Sequence, residues 1–262
     1  MENQIPLSLV KKTESLKLSL VKKNIKKITA CVGSAFDVSG SMDNEYRSGL
    51  MQEFTERLMP LALTFDDNGE IDNWVFDTKS TATGPITLPN YSTFVKENII
   101  DKRLIGGCTS FSPVLQDIYE HYFGATKKVV STTTKKPSGF LGGIFGKKET
   151  VLTTDVQVTE GSAEGKPVYL IFQTDGENDD KGATEKLLAT LEKSNIYIQF
   201  IGLGTDTTFE FIRKMGDKFN NVGFFHVPDM KHMTDETLYN ALINDEFKDF
   251  MKTKFPQFIV EG

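Results

Sequence analysis

Two short runs constrain this chain more than any other feature. They are Ile28-Thr29-Ala30-Cys31-Val32-Gly33-Ser34-Ala35-Phe36 and Val168-Tyr169-Leu170-Ile171-Phe172. Both are nearly continuous in apolar and small residues. A strand with one wet face would alternate with polar residues, so the near-absence of such alternation reads as burial on both faces. Further strands are expected at 71–76, 80–88, 196–203 and 222–227. Pro85 places the 80–88 strand at a sheet edge, because proline cannot donate to a central ladder. Helical spacing is expected at 42–65, with Leu50, Met51, Phe54, Leu58, Leu61, Ala62 and Phe65 apolar. Helices are also expected at 112–123, 181–194 and 207–219, with a short one at 91–100 and a final one from Thr234 through Phe250. Ser112 as N-cap with Pro113 at the first helical position is a favoured helix start. Strands alternating with helices of this length predict an α/β fold. The expected architecture is doubly wound: six strands, mostly parallel, helices on both faces and one antiparallel edge strand.

The first buried run ends in Asp37-Val38-Ser39-Gly40-Ser41, on a strand-to-helix loop where open α/β sheets place ligands. In a tight turn, residues at i, i+2 and i+4 can aim oxygens at one centre. Here they are a carboxylate and two hydroxyls, a donor set suited to a hard divalent cation such as Mg2+. Read alone, the motif also fits a plain strand-end turn in which Asp37 caps the next helix. Two later stretches carry similar chemistry. Gly106-Gly107-Cys108-Thr109-Ser110 is a glycine-rich turn presenting a hydroxyl, and Gln173-Thr174-Asp175-Gly176 ends the second buried run with a carboxylate.

The order D-x-S-x-S, then Thr in a Gly-Gly loop, then T-D-G after an apolar strand resembles the metal-ion-dependent adhesion site of von Willebrand factor A (VWA) domains. The likeness spans about residues 28–228. It implies that Asp37, Ser39, Ser41, Thr109 and Asp175 surround one Mg2+, with Mn2+ or Ca2+ as alternatives. The hydroxyls would bind directly, and the aspartates directly or through water. Residues 172–179, 198–204 and 221–225, together with the insertion and N-terminal repeat described below, further resemble the bacterial and phage VWA proteins of the tellurium-resistance (Ter) stress-response group. No second, calcium-binding Ter domain is seen in these residues. The resemblance implies a non-enzymatic, metal-dependent protein-binding module, completed by a Glu or Asp carboxylate of a partner, which another Ter-type protein would fit. The rival reading is a Mg2+-dependent phosphohydrolase. That chemistry asks for a second aspartate two residues after the first, where this chain has Ser39.

Charge divides the chain. The net charge of −6 hides a +5 N-terminal stretch (1–27), a +5 stretch at 124–150 and a strongly acidic remainder. Within 1–27, Leu-Ser-Leu-Val-Lys-Lys occurs at 7–12 and again at 18–23. Its alternation predicts a basic N-terminal arm of short strands, packed on the domain edge or added to a partner's sheet. A membrane-lying helix is disfavoured, because the apolar positions keep no 3.6-residue period. The remainder, 28–262, is expected to be one domain with an insertion at about 124–166. Residues 127–134 and 150–158 are expected to pair as a hairpin. Its tip would present Phe140, Leu141, Ile144 and Phe145 among lysines, to a partner, an anionic membrane surface or the body itself. No run of 18 apolar residues or leader segment is seen, and the two cysteines read as reduced, so a cytoplasmic setting is expected. Nucleic-acid binding is not expected: the first basic arm lacks interleaved aromatics. His121, His226 and His232 have no metal-ligand spacing.

Overall fold

The computed structural model describes residues 5–65, 68–135, 149–204 and 206–260. Its centre is a six-stranded sheet in the order β3-β2-β1-β6-β7-β8, where β1 is Cys31–Asp37, β2 Asp72–Phe76, β3 Ser80–Ala82, β6 Val168–Thr174, β7 Ile196–Leu203 and β8 Val222–Val227. All neighbours pair in parallel except β2 with β3, the antiparallel edge. The sheet therefore matches the expected architecture. The 80–88 strand is shorter than expected; beyond Ala82, Thr83 N donates to Asn73 O at 3.0 Å and Ile86 forms an isolated bridge to Ile71.

Every residue of β6 and β7 is buried. Tyr169 and Ile171 join the core on one face, and Leu170 and Phe172 the core on the other. The first face is covered by α1 (Leu7–Lys22), α3 (Leu50–Phe65), α7 (Asp235–Leu242) and α8 (Asp245–Lys254). The second is covered by α4 (Ser112–Phe123), α5 (Lys181–Leu191) and α6 (Glu210–Lys218). No described helix is long and apolar enough to cross a membrane.

The N-terminal segment corrects the expectation of strands. It is the helix α1, with Leu9, Leu16 and Leu20 buried against the core and Ser19 donating to Asn240 Oδ1 at 2.8 Å. The repeat offset of 11 residues is about three helical turns, so both copies fall on the same faces. The apparent alternation arises because two apolar stripes run along opposite sides of one helix.

Two expected helices are interrupted. The helix expected at 42–65 is split into α2 (Asp43–Arg47) and α3 at Gly49, whose φ is 81°. The final helix is split at Asn244. Its Oδ1 caps Phe247 N at 2.8 Å and accepts from Tyr197 OH at 2.7 Å, while its Nδ2 donates to Gln199 Oε1 at 2.9 Å. Anchoring one side chain to β7 breaks the helix there and restarts it. Residues 91–93 form turns, and the expected short helix is present from 94 to 100, two α-helical residues running into the π-helix Lys96–Ile100.

The expected hairpin is present. β4 (Ala125–Lys135) and β5 (Glu149–Thr159) pair antiparallel from Ala125↔Thr159 to Lys135↔Glu149. The tip with Phe140 and Ile144 lies outside the described residues.

Candidate metal centre

The chain leaves β1 for the β2 side and later returns through β6 on the other side of β1, so the direction of winding reverses there. A crevice at the carboxyl ends of the strands follows from that reversal. Asp37 ends β1 and Thr174 ends β6, and this is where the candidate residues meet.

Asp37 is fully buried. Its Oδ1 accepts from Ser39 N at 2.9 Å and Ser39 Oγ at 2.5 Å, and its Oδ2 accepts from Thr174 Oγ1 at 2.7 Å. The Asp37 main-chain carbonyl accepts from Tyr46 OH at 2.9 Å, which anchors α2 beside the loop. Ser39 Oγ lies 3.1 Å from Ser41 Oγ. A serine that donates its proton to a carboxylate keeps its lone pairs free to accept a further bond or to ligate a cation.

Main-chain bonds bring the other two loops in. Gly106 N donates to Val38 O at 2.7 Å, and Gly40 N donates to Gly107 O at 3.1 Å. Gly107 has a φ of 84°, and a Cβ there would meet Asp77 Oδ2 at 2.8 Å, so this crossing needs glycine. Thr109 is buried, and it exchanges bonds with Asp179: Asp179 N donates to Thr109 O at 2.8 Å, and Thr109 N donates to Asp179 Oδ2 at 3.3 Å. Asp175, half-buried, follows Thr174 directly; its carbonyl accepts from Thr208 Oγ1 at 2.7 Å. The structure thus joins Asp37, Ser39 and Ser41 side chain to side chain. It ties the Thr109 and Asp175 loops to them through the backbone, with no direct bond from either side chain to the first three among the described residues.

Burial pushes the Asp37 carboxyl up to about 7, against the lowering effect of the Ser39 and Thr174 bonds, and the neighbouring Asp175 charge adds to the rise. No lysine or arginine offsets that charge among the described residues. A buried carboxylate, a second beside it and hydroxyls with outward lone pairs form a donor set that fits a divalent cation. It is not a cluster of His, Cys, Asp and Glu: among the described residues no three of those could hold a metal.

Three contributors have roles that sequence reasoning does not assign. Thr174 reads there only as part of a motif, yet it holds Asp37 Oδ2. Asp179, which the sequence places in a helix-start cluster beside Asp175 as a source of charge near the ion, also straps two loops together. Asp180, not Ser112, caps α4: its carboxylate accepts from Phe111 N (3.0 Å), Ser112 N (3.0 Å) and Ser112 Oγ (2.5 Å), and also from Thr184 Oγ1 at 2.7 Å. These bonds hold its carboxyl below the usual carboxylate range despite burial. A run of acids before a helix is the available signal, but nothing in it names a helix 68 residues away as the partner.

The doubly wound sheet with this loop constellation defines a VWA domain. The profile of the vWA-TerF-like family, described as the vWA found in the TerF C terminus, matches residues 29–134 and 138–260, and the chain belongs to that family. The chain is 28% identical over 248 residues to the "Uncharacterized protein YcbR" of Bacillus subtilis (strain 168), covering 91% of this chain and 84% of that protein. Among solved structures, proximal thread matrix protein 1 of the mussel byssus superposes with a TM-score of 0.54 at 16% identity, over 84% of this chain and 47% of its own. The von Willebrand factor type A structure from Catenulispora acidiphila gives 0.52 at 12% identity, over 84% and 43%. The chain spans under half the length of those two structures; at such identities they speak for the fold alone.

Proposed function

We propose that this chain is a metal-dependent protein-binding module, in which a divalent cation at the carboxyl edge of the sheet captures a carboxylate of a partner protein. The observation that carries the proposal is Asp37: a fully buried carboxylate, held by Ser39 and Thr174, beside Asp175 and without a cationic partner among the described residues. Membership of a family of interaction domains supports a binding role.

Asp37, Ser39, Ser41, Thr109 and Asp175 would hold the ion, with Mg2+ the expected species and Mn2+ or Ca2+ alternatives. The ion would supply a Lewis-acidic centre; three of its five protein donors are neutral hydroxyls and only two are carboxylates, so it would stay electrophilic enough to accept one more anionic oxygen. The chain's own part is to fix the donors. Thr174 and Ser39 orient Asp37, Asp179 locks the Thr109 loop, and Asp180 joins α4 to the Asp175 loop. A depression of about 570 Å³ opens beside Asp175, lined among others by Gly176, Asp179, Lys181, Thr208 and Lys214. The family's Ter connection supports a role in a chemical-stress or phage-related system, as a cytoplasmic scaffold whose partner another Ter-type protein would fit.

Calorimetry with Mg2+ and Mn2+ on the wild type and Asp37→Ala, with and without a glutamate-bearing peptide, tests this. Metal binding lost in the variant, and peptide binding seen only with metal, are the expected results. A wild type that binds neither ion refutes it.

A further inference from the structure

The second apolar stripe of α1 has no place in the metal-site reading. Seven large apolar side chains are exposed among the described residues, and five of them lie between Ile5 and Val21. Leu7 (71% exposed), Val10 (40%), Leu18 (61%) and Val21 (68%) fall within about 80° of one another around the helix axis, opposite the buried Leu9, Leu16 and Leu20, with the exposed Glu14, paired with Lys17, lying between the two apolar pairs. A helix that needed only to pack on α3 and α7 would carry polar residues there. A sixth exposed residue, Val260, is joined to the end of the same segment, its N–H donating to Asn24 O at 2.8 Å.

Lysines border the stripe. Lys11 lies on one side and Lys17 on the other, with Lys26 and Lys27 following the helix. Lys22 and Lys23 are committed to Glu236 and Asp245, and Lys17 to Glu14. Lys11, Lys12 and Lys27 are exposed or half-exposed and have no acidic partner among the described residues. Where the stripe ends, a cavity of about 420 Å³ opens, with Leu20, Val21, Ile25 and Leu63 as its apolar lining and Lys17, Lys26 and Lys27 as its charged one.

We propose that α1 lies on the surface of an anionic phospholipid bilayer, its outer stripe in the headgroup–acyl boundary and its lysines on the lipid phosphates. The geometry is that of an interfacial helix: two apolar pairs on one side, the carboxylate between them neutralised by Lys17, and lysines at the margins, a residue type whose stem can lie along apolar surface while its head reaches the headgroups. Charge argues against a second copy as the occupant, since pairing two α1 stripes would set lysine margin against lysine margin and Glu14 against Glu14.

The test is flotation of the full chain with vesicles of phosphatidylcholine alone or with about one-third phosphatidylglycerol, in EDTA so that the metal site plays no part. Binding to the anionic vesicles and not the neutral ones is expected. Leu18→Glu with Val21→Glu should weaken it roughly tenfold or more. Neutralising Lys11→Gln and Lys27→Gln should cost about fivefold each. All four side chains are exposed, and an unchanged thermal midpoint confirms folding. Wild type that stays off anionic vesicles overturns the proposal. So does binding that survives the stripe and lysine variants, which would assign it to another segment. A dimer in sedimentation that Leu18→Glu dissolves would give the stripe to a second copy and likewise overturn it.

Discussion

Replacing Asp37 by Asn should make the metal-free protein more stable while abolishing its response to metal. The carboxyl's ordinary value of 3.8 is raised to about 7 by burial. The sign follows from proton linkage. Well below the ordinary value of 3.8 both folded and unfolded states hold the proton, and the group costs nothing. As pH rises toward 7 the unfolded chain releases it first, so stability falls across that window. A rise of that size is worth about 4 kcal/mol at pH 8, and the part accrued by pH 5.5 is about 2 kcal/mol. Asn removes this cost at both values. It keeps an acceptor for Ser39, but its amide cannot accept from Thr174 Oγ1, which must turn; that offsets about 1 kcal/mol. The net gain is about 3 kcal/mol at pH 8 and about 1 kcal/mol at pH 5.5. For a chain of this length the first figure raises the thermal midpoint by roughly 6–12 °C. Differential scanning calorimetry in EDTA at both pH values measures it. Adding Mg2+ at about 100 times its dissociation constant should then stabilise the wild type by about 2.7 kcal/mol and leave Asp37→Asn unmoved. A variant less stable than the wild type at pH 8 in EDTA would refute the electrostatic argument. A Mg2+ response shared equally by both proteins would refute the site.

Asp180→Ala should destabilise the protein by about 2 kcal/mol in urea titrations at neutral pH, because the N-terminus of α4 loses its cap. Since the Asp180 carboxyl is held below its ordinary value, its contribution is present above that value and is lost as pH falls through it, so wild type and variant should converge in acid. Gly107→Ala forces a Cβ into Asp77 at a positive φ. It should cost about 1–3 kcal/mol and weaken Mg2+ binding by roughly tenfold in calorimetry. Leu16→Ala, on the buried stripe of α1, should cost about 2–5 kcal/mol, whereas Leu18→Ala on the outer stripe should stay within about 0.5 kcal/mol. Equal effects at the two positions would contradict the helix and restore the strand reading.

What the sequence disclosed and what it concealed divide along one physical line. Runs such as 168–172 were legible because burial on both faces leaves only one residue class at every position, and the order of those runs with their helices then dictates the sheet. Asp37, Ser39 and Ser41 were legible because one loop carries all three, so their spacing alone states what they can do together. Asp180 was hidden because its meaning depends on Phe111 and Ser112, and Thr174 because its hydroxyl is aimed at a residue 137 positions earlier in the chain. Neither partnership leaves a local trace. The N-terminal helix shows a different kind of concealment. Its signal was local and present, but Leu7 and Leu9, or Leu18 and Leu20, belong to opposite faces, and two superposed helical stripes look like the alternation of a strand. A single periodicity test presumes one buried face. That presumption fails for a helix that packs on its own domain with one side and keeps a second apolar side exposed, so the error in reading α1 and the reason to assign it a further surface are the same observation.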